Sequence, residues 1–101
     1  MTISTSASTD GNILTIHIKG QFFFQTILDF RQAYGSGHDP HQQFIVDLSE
    51  TQDIDSAGLG MLLKLRDHAT RQGKSVSIMG SNPNLRSLLS RAKFDKLFAL
   101  K

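Results

Sequence analysis

The run Phe44-Ile45-Val46-Asp47-Leu48 is β-branched and almost continuously apolar, and it limits the architecture more than any other stretch of this chain. A strand wetted on one face alternates apolar and polar residues, whereas a strand covered on both faces reads as an unbroken apolar run. Such a strand belongs in a parallel sheet with helices over it, and the rest of the chain supplies the parts. Ile3-Ser4-Thr5-Ser6-Ala7 and Ile13-Leu14-Thr15-Ile16-His17-Ile18 alternate, and the turn residues Asp10-Gly11-Asn12 between them signal a hairpin. After Gly20, the spacing of Phe24, Ile27 and Leu28, with the stem of Arg31, predicts a first helix through Tyr34, ended by Gly35-Ser36-Gly37. From Gly58 onward Leu59, Leu62, Leu63, Arg66 and Ala69 recur at helical spacing, and Gln72-Gly73 closes that second helix. Ser75 to Met79 is a short strand. Asn82 and Pro83 then supply a cap and a first helical residue for a third helix, whose apolar face is Leu85, Leu88, Leu89 and Ala92. Phe94, Leu97 and Phe98 form a terminal apolar cluster. The order β-β-α-β-α-β-α predicts an α/β domain, with a central mixed sheet of about four to five strands covered by helices.

With 101 residues, 39% of them hydrophobic, there is material for one core and not for two, so residues 1–101 are expected to form one domain. The absence of cysteine excludes disulfides, zinc thiolate sites and cysteine nucleophiles. The opening Met1-Thr2-Ile3-Ser4-Thr5-Ser6 has neither a basic leader nor a signal-type apolar stretch, and no apolar run reaches the roughly 18 residues of a membrane span. A soluble, cytoplasmic protein without membrane insertion is expected. The net charge of +2 is weighted toward the C-terminal half, from Lys64 to Lys101, on amphipathic helices where cations form the solvated face. No aromatic-basic interleaving or zinc-finger spacing accompanies it, so nucleic acid is not an expected partner.

The chemistry-bearing candidate is Ser56, in Ile54-Asp55-Ser56-Ala57-Gly58-Leu59-Gly60 at the start of the second helix. A helix N-terminus presents unpaired N–H groups and the positive end of a dipole, so a phosphate on that hydroxyl would meet donors. The plainer reading is that Ser56 caps the helix, and that Asp53 and Asp55 also cap it. Gly58 and Gly60 lie where glycine costs about 1 kcal/mol per residue, which implies close approach of something to the backbone, with a partner or modifying enzyme as the natural candidate. Catalysis at Ser56 fails on spacing. A nucleophile elbow needs glycine where Ile54 stands, and His68 lies about three turns along the same helix, roughly 18 Å away. No phosphate-binding or dinucleotide glycine motif is present, so no cofactor is expected. Among His17, His38, His41 and His68, only His38 and His41, close together in a loop, make even a weak metal candidate, and no metal site is assigned.

These residues resemble the STAS family, the sulfate-transporter and anti-sigma-factor-antagonist domains. The match is strongest at Asp47-Leu48 followed by Asp55-Ser56-Ala57-Gly58-Leu59-Gly60, similar to the family's strand, Asp-Ser-x-Gly-Leu-Gly loop and helix. Gln72-Gly73-Lys74 before a strand, Asn82-Pro83 opening a helix, and Phe94 to Leu97-Phe98 extend it over nearly the whole chain. In the bacterial antagonist branch that serine is phosphorylated by a serine kinase of histidine-kinase-like ATPase fold and dephosphorylated by a PP2C-type phosphatase. The resemblance therefore implies a non-enzymatic, phosphorylation-regulated antagonist of transcription control, and the sequence looks closer to stand-alone proteobacterial response-regulator-linked antagonists, some of which control biofilm or motility, than to the sporulation type. Carried over by position, the phosphoacceptor is Ser56, and Asp55, Ser56, Ala57, Gly58, Leu59, Gly60, Met61 and Leu62 form the partner-binding segment. Gly58, Leu59, Met61 and Leu62 are expected to present a small apolar patch in the unphosphorylated form. Two departures stand out. Ala57 occupies a place where the family often has Ser or Thr, and Gly20-Gln21-Phe22-Phe23-Phe24 replaces the acidic Gly-Glu-Leu/Ile-Asp of many antagonists. Three consecutive phenylalanines cannot all enter one core, so one or more of Phe22, Phe23 and Phe24 either forms a partner surface or folds over the core. The alternative within the same fold is an accessory subunit of a transport system or a small-ligand-binding module.

Overall fold

The computed structural model describes residues 2–35 and 41–101. One five-stranded mixed sheet runs in the order β1-β2-β3-β4-β5, with β1 (Ile3–Ala7), β2 (Ile13–Phe22), β3 (Gln43–Ile54), β4 (Ser75–Met79) and β5 (Ala99–Leu100). β1 and β2 form the expected antiparallel hairpin, in register from Ile3↔Ile18 to Ala7↔Leu14. Its turn is held by Asp10, whose carboxylate accepts from the Ser8 hydroxyl at 2.6 Å and the Asn12 N–H at 3.0 Å, while Gly11 takes the left-handed φ of +76° that the reversal requires. All remaining neighbours are parallel.

Two strands are longer than their sequence predicts. β2 continues past Ile18 to Phe22, and β3 continues past Leu48 to Ile54, the two extensions pairing from Lys19↔Glu50 to Phe22↔Ile54 with register shifts after His17 and Gly20. The extension of β3 is polar because only Thr51 and Ile54 turn inward; the Thr51 hydroxyl donates to the Ile18 carbonyl at 2.7 Å, which satisfies it inside the fold. β5 is a fifth strand directly after the Phe94-Leu97-Phe98 cluster, and Lys101 N–H donates to the Ile78 carbonyl at 2.8 Å.

Helices α1 (Ile27–Tyr34), α2 (Ser56–Arg71) and α3 (Pro83–Arg91) complete the fold. The predicted apolar face of α1 is wrong. Phe24–Thr26 is a 3-10 turn, so the α phase begins at Ile27 and the inward row is Phe30 and Tyr34, while Phe24 and Leu28 are 61% and 67% exposed. Phe30 stands 5.0 Å from Phe22 and 5.5 Å from Tyr34, which in turn meets Phe44 at 6.4 Å, an aromatic row joining α1 to β2 and β3. α2 is likewise rotated from its expected phase: Gly58, Met61, Leu62, Leu65 and Ala69 are buried, whereas Leu63 faces out. The cap of α3 is as expected, with Asn82 Oδ1 accepting from Leu85 N–H at 2.8 Å, Pro83 in the first turn, and Leu85 and Leu89 in the core. Among the described residues no helix is long and apolar enough to cross a membrane.

Candidate functional site

The start of α2 sits against the end of β2 and the 3-10 turn, and Asp55 joins them. Its backbone is extended, Oδ1 accepts from Gly58 N–H at 2.7 Å, and Oδ2 accepts from Phe24 N–H at 3.2 Å. Asp55 is therefore the N-cap. Ser56 is the first helical residue, exposed, and its hydroxyl takes no part in the described hydrogen bonds. Asp53 does not cap, in contrast to its sequence reading: it lies in β3 opposite Gln21, and its Oδ1 accepts from Ile54 N–H at 2.8 Å.

The two glycines have different reasons. A Cβ on Gly58 would collide with the Phe22 carbonyl oxygen and come within 2.7 Å of Ile54 Cγ2, so the close approach comes from the chain's own β2 and β3 rather than from a partner. A Cβ on Gly60 would meet nothing within 4 Å.

The apolar patch expected from Gly58, Leu59, Met61 and Leu62 is not the surface. Met61 is 4% exposed, Leu62 is fully buried and Gly58 is closed off, because α2 turns this row to the sheet. Asp55, Ala57, Leu59 and Gly60 are half-buried, and Ser56 alone of the segment is exposed. The exposed apolar surface beside Ser56 comes instead from the phenylalanine triplet and α1. Phe22 is buried in the core, Phe23 is half-buried, and Phe24, held by its N–H to Asp55, is exposed together with Ile27 and Leu28. The signal was the parity of β2: Leu14, Ile16 and Ile18 face inward, and the same even count carries Phe22 in, because the extra residues at the register shifts lie in β3. Between α1 and α2 runs a trough of ≈ 220 Å³ walled by Ile27, Tyr34, Ala57 and Met61, with Arg31 and Lys64 at its mouth. Burial pushes the Tyr34 hydroxyl pKa above its ordinary value, and the nearby Arg31 charge opposes this in part.

The histidines are occupied elsewhere. His68 packs 5.0 Å from the Tyr34 ring, and His41 Nδ1 lies 2.7 Å from the Gly11 carbonyl; His38, paired with it as a metal candidate, falls outside the described residues. His17 belongs to a polar line that the sequence reading missed. Its Nδ1 is 2.8 Å from Asp47 Oδ2 and its Nε2 is 2.9 Å from the Ser6 hydroxyl, while Ser49 N–H donates to Asp47 Oδ1 at 3.0 Å. An ionised carboxylate only accepts, which assigns a proton to Nδ1. Burial alone would raise the Asp47 pKa, but the bonds from Ser49 and the contact with His17 together hold it below the ordinary value. Register carries the signal for the Asp47 half, since β2 and β3 pair His17 with Asp47; on the other side β1 pairs Ser4 with His17, and the bond goes diagonally to Ser6. The line ties three neighbouring strands together.

Comparison with known proteins follows the same outline. The family model described as STAS domain matches residues 4–101. A STAS-domain containing protein of Pseudomonas aeruginosa (strain UCBPP-PA14) is 39% identical over 100 residues, covering 99% of this chain and 99% of that one. The putative sulfate transporter YbaR of Bacillus subtilis (strain 168) is 28% identical over 86 residues, which cover 85% of this chain and 18% of the transporter. The solved anti-sigma factor antagonist SpoIIAA superimposes in its unphosphorylated form with a TM-score of 0.75 at 14% identity, over 98% of this chain and 86% of that one. The phosphorylated form of the Bacillus protein gives 0.70 at 14% identity, over 98% and 90%. At such identities the likeness is one of fold.

Proposed function

This chain belongs to the STAS domain family, and from that premise we propose that it is an anti-sigma-factor antagonist whose binding to a protein partner is switched by phosphorylation of Ser56. The partner is a serine kinase or anti-sigma factor of histidine-kinase-like ATPase fold, and a PP2C-type phosphatase resets the switch. One observation carries the reading: at the start of α2 the capping is done by Asp55, which leaves the Ser56 hydroxyl exposed and uncommitted. In the phosphorylation step Ser56 Oγ takes the terminal phosphoryl group of ATP, ADP leaves, and the hydroxyl proton is lost to solvent or to a base of the kinase.

The added charge of roughly −1.5 to −2 has little to neutralise it within the loop. Gly58 N–H is already held by Asp55, and the Asp55 carboxylate is itself the adjacent negative charge. The phosphate therefore acts outward, on whatever rests against Phe24 and the first turn of α2, by charge and by its hydration. Ser56→Ala is expected to bind the cognate partner constitutively, and Ser56→Asp to bind at least about tenfold more weakly, measured by calorimetry with the purified partner. Mass spectrometry of the protein from its own cells should find phosphate on Ser56. Partner binding by both variants at wild-type strength would remove the switch.

Similarity over 85% of this chain to YbaR supports a second reading, an accessory domain of a transport system. Co-purification with a membrane transporter, and indifference of that complex to Ser56→Asp, would favour it over the antagonist.

A further inference from the structure

The trough between α1 and α2 combines an apolar floor with an uncancelled positive mouth. Ile27, Tyr34, Ala57, Gly60 and Met61 line it together with the cations Arg31, from α1, and Lys64, from α2. Among the described residues no carboxylate pairs with either cation; Asp67, the nearest acid along α2, is engaged with Arg71 at 3.1 Å, and Asp29 of α1 lines a different concavity beside β1. Outside the trough the apolar surface continues over Phe24 and Leu28, both more than half exposed. Gly60 adds a second constraint. It sits inside α2, where glycine costs about 1 kcal/mol relative to alanine, yet no part of the fold occupies the space a side chain would fill. Its backbone is open to close approach from the trough.

At ≈ 220 Å³ the space is smaller than the roughly 300–1,000 Å³ of small-molecule sites, and it accommodates one or two apolar side chains. We propose that the α1–α2 trough receives an acidic amphipathic helix of the regulatory partner. An apolar side chain of that helix enters between Ile27, Tyr34 and Met61, its Asp or Glu residues pair with Arg31 and Lys64, and its backbone approaches at Gly60. The proposal rests on the reading of the chain as a partner-binding protein, and it explains the sign of the switch. Ser56 lies four residues from Gly60, about 6 Å along α2, within a Debye length of about 8 Å. A phosphate there repels an acidic helix and would attract a basic one.

A display selection of random 16-residue peptides against the full chain, followed by fluorescence anisotropy with the enriched peptide, tests this. Enriched peptides should carry apolar residues at helical spacing flanked by Asp or Glu. Arg31→Glu with Lys64→Glu should weaken the peptide at least tenfold, Gly60→Leu should block it, and the equally charged control Arg91→Glu with Lys96→Glu should leave it within twofold, all with unchanged circular dichroism. Enrichment of basic or extended peptides, no enrichment, or indifference to the trough variants would overturn the proposal. So would saturation of the trough by decanoate in an NMR titration, or dimerisation through it on sedimentation. Peptide binding lost in the trough variants but unaffected by Ser56→Asp would leave the trough standing and remove the switch. Cognate-partner binding that follows Ser56 but not Arg31 and Lys64 would do the reverse.

Discussion

A methyl group added to Gly58 would strike the Phe22 carbonyl oxygen and stand 2.7 Å from Ile54 Cγ2, whereas one added to Gly60 would meet nothing within 4 Å. Backbone cannot yield as a side-chain tip can, so Gly58→Ala should force α2 away from β2 and destabilise the protein by about 2–3 kcal/mol. Gly60→Ala should be neutral or stabilise by up to about 1 kcal/mol, since it gains helix propensity without a clash. Urea midpoints of the two variants at constant m-value check both signs. In sequence these glycines look alike, two breakers in the first turns of a helix, and only the position of the Phe22 carbonyl separates them. Ser56 was legible as a helix-start serine, but its freedom from capping was not. That depended on which of Asp55 and Ser56 the helix would adopt as its first residue, a matter of one residue in the boundary.

The line from Ser6 through His17 to Asp47 works at the scale of elements, because it fastens β1, β2 and β3 across their surface. The bonds from Ser49 and the contact with His17 outweigh the burial that would raise the Asp47 pKa, so its folded value lies below its ordinary one. A carboxyl depressed in the folded state contributes stability that is present above its unfolded pKa, about 3.9, and is lost as pH falls through the folded value. Asp47→Asn should therefore lower stability at neutral pH and flatten the acid limb below about pH 4, measured as urea midpoints across that range. An acid limb identical to wild type would show that the line contributes nothing there. Elements marked by local signals were readable: the hairpin by its Asp10-Gly11-Asn12 turn, the core of β3 by its apolar run, and the start of α3 by Asn82-Pro83. Reading failed where phase depended on tertiary partners. The 3-10 turn over Phe24–Thr26 shifts the phase of α1, and the polar end of β3 is a strand only because β2 extends beside it.

For the molecule as a whole, the proposed phosphorylation of Ser56 would either refold the domain or change only one edge of it. The Ser56 side chain is exposed and makes no described bond, while behind it Asp55 is fixed at both carboxylate oxygens and Phe22, Phe30, Tyr34 and Phe44 form a closed aromatic row. A negative group at the first turn gains about 0.3–1 kcal/mol from the helix dipole, and repulsion from the adjacent Asp55 opposes it. These two effects are similar in size, so Ser56→Asp should change unfolding free energy by less than about 0.5 kcal/mol. Amide exchange in β2, β3 and β4 should be unchanged, with altered amide shifts confined to the first turn of α2, the Phe24–Thr26 turn and the mouth of the trough. The same variant should lose partner binding, which separates a surface switch from a conformational one. Faster exchange throughout the sheet would mean that the charge opens the fold, and phosphorylation would then act through stability rather than through the docking edge.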